Sequence, residues 1–228
     1  MRDRVGAGAA AAVDWRLSPR VHGVAIDQDL VLLDVEADAY FCLVDAASCV
    51  EVGSGGAVDI TDEAIRQSLV EAGLIDRGPP RPAPALAPAR REVEAAAPAK
   101  VDAETLLRLL RAAWTARRHL RSRSFGELLA WAAARRTDPA PLVPAPSPAL
   151  LAEAARFAAL RVWAPFDGAC LARSYMALRY LRLCGHDAWW VIGVRTWPFS
   201  AHCWLQAGDV VLDDTAARVM PYRPILVV

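Results

Sequence analysis

The chain has 228 residues, of which 55% are hydrophobic and 23% charged, and its formal net charge is zero. This composition excludes a disordered or low-complexity chain and fits one or two packed domains. The zero conceals an asymmetry, because residues 14–76 hold 13 acidic and 3 basic side chains while residues 100–228 hold 17 basic and 10 acidic. Halves of opposite sign point to two modules with different surfaces.

In chain order, the opening MRDRVGAGAAAAVDW carries two arginines and an Ala/Gly run that is too weakly apolar for a signal peptide. No later segment reaches the roughly 18–20 uncharged residues of a membrane span. The 5 cysteines lack any CxxC pair or regular spacing, a poor disulfide framework. The expected setting is therefore cytoplasmic, with no membrane partner. Residues 21–27, 30–36 and 39–44 are β-branched or aromatic runs between polar breaks and predict three short strands, with a tight hairpin at Ala37-Asp38. A short helix over 45–52, a GSGG break and a helix over 59–75 follow, the last capped by Thr61 and stopped by Gly73. Its apolar face carries Ile65, Leu69 and Ala72. Residues 79–100 are rich in Pro and Ala and predict an extended spacer. The expected organisation is a module over 14–78, a linker over 79–100 and a second module over 101–228.

The second module predicts helices over 103–123, 124–136 with Ser124 as cap, 149–161 and 169–184, with a Pro-rich loop over 139–148. Strands follow near 188–194, 201–206 and 209–213. Within this region Cys170 comes after Gly168 and opens a helix, where the backbone dipole favours a thiolate. A nucleophilic thiolate needs an imidazole partner, and His202 on the second strand suits that role. A third group must orient the imidazole, and a hairpin across Ala207-Gly208-Asp209 brings Asp213 and Asp214 close. Spacing leaves either aspartate open.

The other candidates have plainer readings. Cys42, Cys49 and Cys184 read as small buried hydrophobes. Cys203 adjoins His202 on a strand and so points to the opposite face. His186 and His119 read as solvated, and His22 as structural. Cys170, Cys184, His186 and His202 lack paired zinc-ligand spacing, so no metal or cofactor is expected. Trp163, Trp189, Trp190, Trp197 and Trp204 read as core or cleft wall.

Three features of the C-terminal half together resemble the B proteins of lasso peptide biosynthesis, a family of transglutaminase-like, papain-like cysteine peptidases. They are the Cys-Leu-x-Arg-Ser opening at 170–174, the Gly-Val-Arg-x-x-Pro-Phe-x-Ala-His-x-Trp run at 193–204 and the acidic pair at 213–214. The N-terminal half resembles the PqqD-like RiPP recognition element, a winged-helix-like peptide-binding module of three strands plus helices. The resemblance implies an α+β chain that fuses the two. It implies Cys170 as nucleophile, His202 as base and Asp214 as orienting carboxylate, with Asp213 second choice. It further implies hydrolysis of the leader–core bond of a precursor peptide, whose new N-terminal amine an ATP-dependent, asparagine synthetase-like cyclase then uses. The chain departs from the family pattern at Cys203, usually a small residue, and at Gln206, usually an acid.

A leader can add as a strand to a sheet edge, and Tyr40 and Leu69 are the expected lining. The acidic charge of this module argues against nucleic acid, whose phosphates need Lys and Arg. Two rival functions share these features: acyl transfer to an amine, as transglutaminases perform, and a non-catalytic peptide-binding scaffold. A third rival takes the basic helix as a nucleic-acid or membrane surface; a solvated face packed on the core is the plainer reading.

Overall fold

The computed structural model describes residues 15–81, 86–94, 102–134, 146–161 and 170–228. The expected strands in the N-terminal half are β2 (Val21–Ile26), β3 (Asp29–Asp34) and β4 (Ala39–Leu43), a sheet in the order β2-β3-β4. Asp27 and Asp38 turn the two hairpins with positive φ of 54° and 50°, a conformation short polar side chains tolerate. A second sheet was not anticipated. It is built from β1 (Trp15–Leu17), β5 (Val50–Val52), β6 (Ala57–Ile60) and β7 (Ile75–Arg77) in the order β5-β6-β1-β7. The expected helix over 45–52 is thus a 3-10 turn at Ala46–Ser48 followed by β5.

Helix α1 (Glu63–Glu71) starts later than expected, and its cap is Asp62 rather than Thr61. The Asp62 carboxylate accepts from the Ala64 and Ile65 N–H groups, satisfying two donors that the first turn leaves open. Gly73 ends the helix at φ 65°. Leu69 packs with Leu17, Leu30, Leu32 and Ile75 and is only 4% exposed, so it is a core residue and lines no open groove.

In the C-terminal half the strands are β8 (Arg91–Glu92), β9 (Trp189–Arg195), β10 (Ser200–Ala207), β11 (Val210–Val211) and β12 (Arg223–Val227), ordered β12-β9-β10-β11-β8. The helices are α2 (Ala103–Ser122), α3 (Phe125–Ala134), α4 (Pro148–Leu160), α5 (Cys170–Leu183) and α6 (Ala216–Val219). Ser124 and Glu127 form a reciprocal capping box before α3. Ser147 caps α4, with Pro148 in its first turn. The expected Pro-rich loop over 139–148 lies mostly outside the described residues. Helix α2 buries Leu109, Ala112 and Ala116 in the core that α5 shares, and its arginines lie on the open face, as for a solvated helix.

The Pro/Ala-rich stretch expected as a spacer is partly built into this sheet. Strand β8 pairs in parallel with β11, and Arg91 clasps Asp209 through two hydrogen bonds. The Ala87 carbonyl accepts from Gln206 Nε2 at 2.6 Å. Gln206 also accepts from the Trp204 indole, so the buried amide is satisfied on both ends.

All six residues of β3 are buried, which the alternation of a one-sided sheet does not produce. Leu30 and Leu32 face the N-terminal core, whereas Val31 and Leu33 face the large core holding α2, α5, β9 and β10. The sheet β2-β3-β4 is thus a layer between two cores, and the halves share a hydrophobic interface. The Trp197 indole reinforces it by donating to Asp29 Oδ2 at 2.8 Å, and Tyr40 packs on Phe199 with ring centroids 5.4 Å apart.

Candidate functional site

Cys170 is the first residue of α5, which lies against β10. His202 lies on β10 opposite Gly193 of β9. Asp213 and Asp214 follow β11 in a turn, one short strand away from β10. The chain reversal at Ala207-Gly208-Asp209 therefore returns the two aspartates toward His202, and Gly208 supplies the positive φ of 56° that the reversal needs.

The structure separates the two aspartates. Asp214 Oδ2 is 2.8 Å from His202 Nε2, which leaves the other ring nitrogen for the Cys170 sulfur. Asp213 is fully buried and points elsewhere: its Oδ1 accepts from the Leu205 N–H at 2.7 Å and its Oδ2 faces Arg173 at 3.4 Å. Arg173, one turn after Cys170 on α5, also holds Asp214. It was missed as a candidate, although a cation three residues after the cysteine and two acids downstream are a readable signal. The Thr215 N–H completes the shell of Asp214.

These contacts set the charges. Burial opposes the Asp214 carboxylate, but His202, the Thr215 N–H and Arg173 outweigh it and hold its pKa down to about 2. Burial raises Asp213 to about 6 despite Arg173 and the Leu205 N–H. Burial likewise disfavours a charged His202, yet Asp214 and the neighbouring sulfur raise it to about 9. Hydrogen bonding from Cys203 and then from His202 brings Cys170 down to about 4, against the cost of burial. Between those values the site holds a thiolate–imidazolium pair. Alkylation of Cys170, located by mass spectrometry, is expected to run at a constant rate from about pH 5 to 9. It should slow as acid protonates the sulfur. Above about 9 the imidazolium discharges but the thiolate stays, so no second fall is expected.

The His202 ring, 5% exposed, is stacked with Trp204 and tilted against Tyr222. Gly193 makes that packing possible: a Cβ there would stand 2.7 Å from the Trp204 ring and 3.0 Å from Tyr222 Cβ. Gly193→Ala is expected to push Trp204 off His202 and cost about 1–3 kcal/mol, read as a lowered midpoint in urea.

Tyr40 reaches the site from β4. Burial and the nearby Cys203, Asp38 and Cys170 push its hydroxyl up to about 12. The remaining candidates fall outside. Cys42 is exposed rather than buried, because β4 is an edge strand, while Cys49 and Cys184 are half-buried. His119 is not solvated: its Nδ1 is 2.8 Å from the Tyr175 hydroxyl, in a cluster with Trp131. Trp189, Trp190 and Trp204 are buried, Trp197 is 69% exposed, and Trp163 lies outside the described residues. No group of three or more His, Cys, Asp or Glu side chains among the described residues is arranged to hold a metal ion.

A thiolate at a helix start, an imidazole on the neighbouring strand and a carboxylate behind it can perform acyl transfer from a carbonyl substrate. The sequence agrees with that geometry: residues 110–227, more than half of the chain, match the transglutaminase-like superfamily. The chain belongs to that superfamily. A stretch of 49 residues is also 45% identical to the microcin J25-processing protein McjB of Escherichia coli, covering 22% of this chain and 24% of McjB. The match therefore spans about a quarter of that relative. No solved structure matches the chain. No helix among the described residues is long and apolar enough to cross a membrane.

Proposed function

We propose that this transglutaminase-like chain is the leader peptidase of a lasso peptide pathway. It binds the leader of a precursor peptide through an N-terminal PqqD-like, winged-helix-like recognition module and hydrolyses the leader–core bond. The observation that carries the reading is the line from Asp214 through His202 to Cys170 at the start of α5. The kinship with a microcin-processing protein supports a peptide substrate.

In this mechanism the Cys170 thiolate attacks the scissile carbonyl and the carbonyl oxygen becomes an oxyanion. The Cys170 N–H, at the positive end of α5, is a donor suited to that charge. His202, charged at neutral pH, gives its proton to the departing amine. The neutral imidazole then takes a proton from water, which releases the leader as a free acid and regenerates the thiolate. Asp214 keeps the ring turned so that one nitrogen faces the sulfur throughout. No step uses a metal or cofactor.

The leader's path follows from β4. That strand pairs only with β3, so its outer backbone edge is open to a further strand among the described residues. Tyr40 stands on this edge and also beside Cys170, so a peptide added there runs toward the thiolate without leaving the protein surface. The ATP-dependent cyclase is the partner that consumes the freed core.

The test is mass spectrometry of the precursor peptide incubated with the protein, with and without cyclase and ATP. Two fragments divided at the leader–core junction, with water added across the bond, are expected. A crosslinked product without free leader would make the chain an acyltransferase, and leader binding with no cut under any condition would make it a scaffold.

A further inference from the structure

Successive residues of β10 face opposite sides of the sheet, so His202 and Cys203 diverge. His202 turns toward Trp204 and Tyr222, and Cys203 turns into the core beneath α5. Cys170 nevertheless meets both. Cys170 packs against the core that Cys203 enters, and its sulfur lies near enough to interact with both Cys203 and His202.

Behind Cys203 stands a buried chain of polar groups that the mechanism above does not use. Ser174 Oγ is 3.5 Å from Cys203 Sγ and 2.8 Å from Trp190 Nε1. Ser174 and Trp190 are fully buried and Cys203 nearly so. An indole N–H can only donate, so it fixes the direction of the chain at its head. Trp190 gives to the Ser174 oxygen, and Ser174 is left to give its own proton to the Cys203 sulfur. The Leu171 carbonyl, 3.4 Å away, is the other acceptor within its reach. Cys203 then has its proton free for Cys170. Linked donors of this kind polarise one another in a dry interior.

Of the two sulfurs, Cys170 is the one that carries the charge. It alone has the imidazolium beside it, and it is the more exposed. The neighbouring Cys170 thiolate, and then burial, keep Cys203 a thiol.

We propose that Cys203 is a positioning residue whose buried thiol, polarised through Ser174 and Trp190, donates a hydrogen bond that holds Cys170 as a thiolate in a fixed place. The proposal rests on the reading of Cys170 as the nucleophile. Among the described residues, the other groups facing Cys170 are His202 of β10 and Tyr40 of β4, with Asp214 and Arg173 behind the imidazole.

The experiment measures the rate of Cys170 alkylation by iodoacetamide against pH, located by mass spectrometry, in wild type, Cys203→Ala, Cys203→Val, Cys203→Ser and Trp190→Phe. Alanine and valine remove the donor at two different volumes, serine retains one, and phenylalanine removes the head of the chain without touching Cys203. The expected result is an acid limb moved up by about one pH unit in the alanine and valine variants, the scale of one lost charge-assisted hydrogen bond. A smaller shift is expected in Trp190→Phe, and serine should lie nearest to wild type. If every variant that folds, by circular dichroism, keeps the wild-type limb, Cys203 is only core packing and the proposal is overturned. Should Cys203→Ala and Cys203→Val both fail to fold, Trp190→Phe decides it: a raised acid limb supports the proposal and an unmoved one overturns it. Alkylation needs no peptide substrate. A normal shift with no precursor cleavage would sink the peptidase and leave the relay standing; unchanged limbs with normal cleavage would do the reverse.

Discussion

Cys170→Ala is expected to lower kcat/KM for precursor cleavage by at least about 10⁴-fold while leaving the fold intact, because the group that forms the covalent intermediate is gone and water has no substitute for it. The aspartates offer a sharper comparison. Asp214→Ala frees the imidazole to rotate and removes the charge that favours its cation, so a loss of roughly 10²–10³-fold is expected, mostly in kcat. Asp213→Asn keeps an acceptor for the Leu205 N–H and leaves the His202–Asp214 contact untouched. Its effect should stay within about tenfold and appear chiefly in stability, since it weakens a buried partner of Arg173. Kinetics of the three variants on one precursor check the assignment. If Asp213→Asn proves the more damaging of the two aspartate variants, the orienting role belongs to Asp213 and the geometry at Asp214 has been misread.

The C-terminal half was legible because its signals are local. A glycine break before a helix put Cys170 at a helix start, a strand-like run put His202 on a strand, and a Gly-Asp reversal brought the acids back. What spacing left open was the choice between Asp213 and Asp214, and the contact that separates them is non-local. Arg173 on α5 and Leu205 on β10 claim Asp213, leaving Asp214 to the imidazole. Cys203 shows a second limit. Alternation correctly put it opposite His202, yet Cys170 lies near both, because the first residue of a helix packed across β10 comes close to what two faces of a strand present. The N-terminal half was read less completely. Strands β1, β5 and β7 are three residues each, too short for any periodicity. Strand β8 lies in a Pro/Ala-rich stretch whose composition predicts no pairing and is held by tertiary contacts alone.

The same kind of non-local burial makes Leu33→Ala the most informative stability variant. Taken alone, DLVLLD reads as a strand of one small module, and losing one of its side chains should affect that module only. In the structure β3 is a shared layer, and Leu33 is 0% exposed on the face that looks into the core of the C-terminal half. Truncation to alanine leaves a cavity that neither the sheet nor the helices behind it can close, at a cost of about 2–5 kcal/mol. That cost falls on an interface that also fixes Tyr40 against Phe199 and Trp197 against Asp29. Calorimetry is therefore expected to show a single unfolding transition in wild type and a single, lower one in the variant, because the module on one side of the layer cannot melt without exposing the core of the other. Two separated transitions, with only the N-terminal one displaced, would mean that the modules are thermodynamically independent. Leader delivery along β4 would then need a different route to Cys170. Precursor cleavage by Leu33→Ala below its midpoint links the two questions. If the shared layer aligns the β4 edge with the thiolate, activity on the full precursor should fall while the pH profile of Cys170 alkylation stays unchanged.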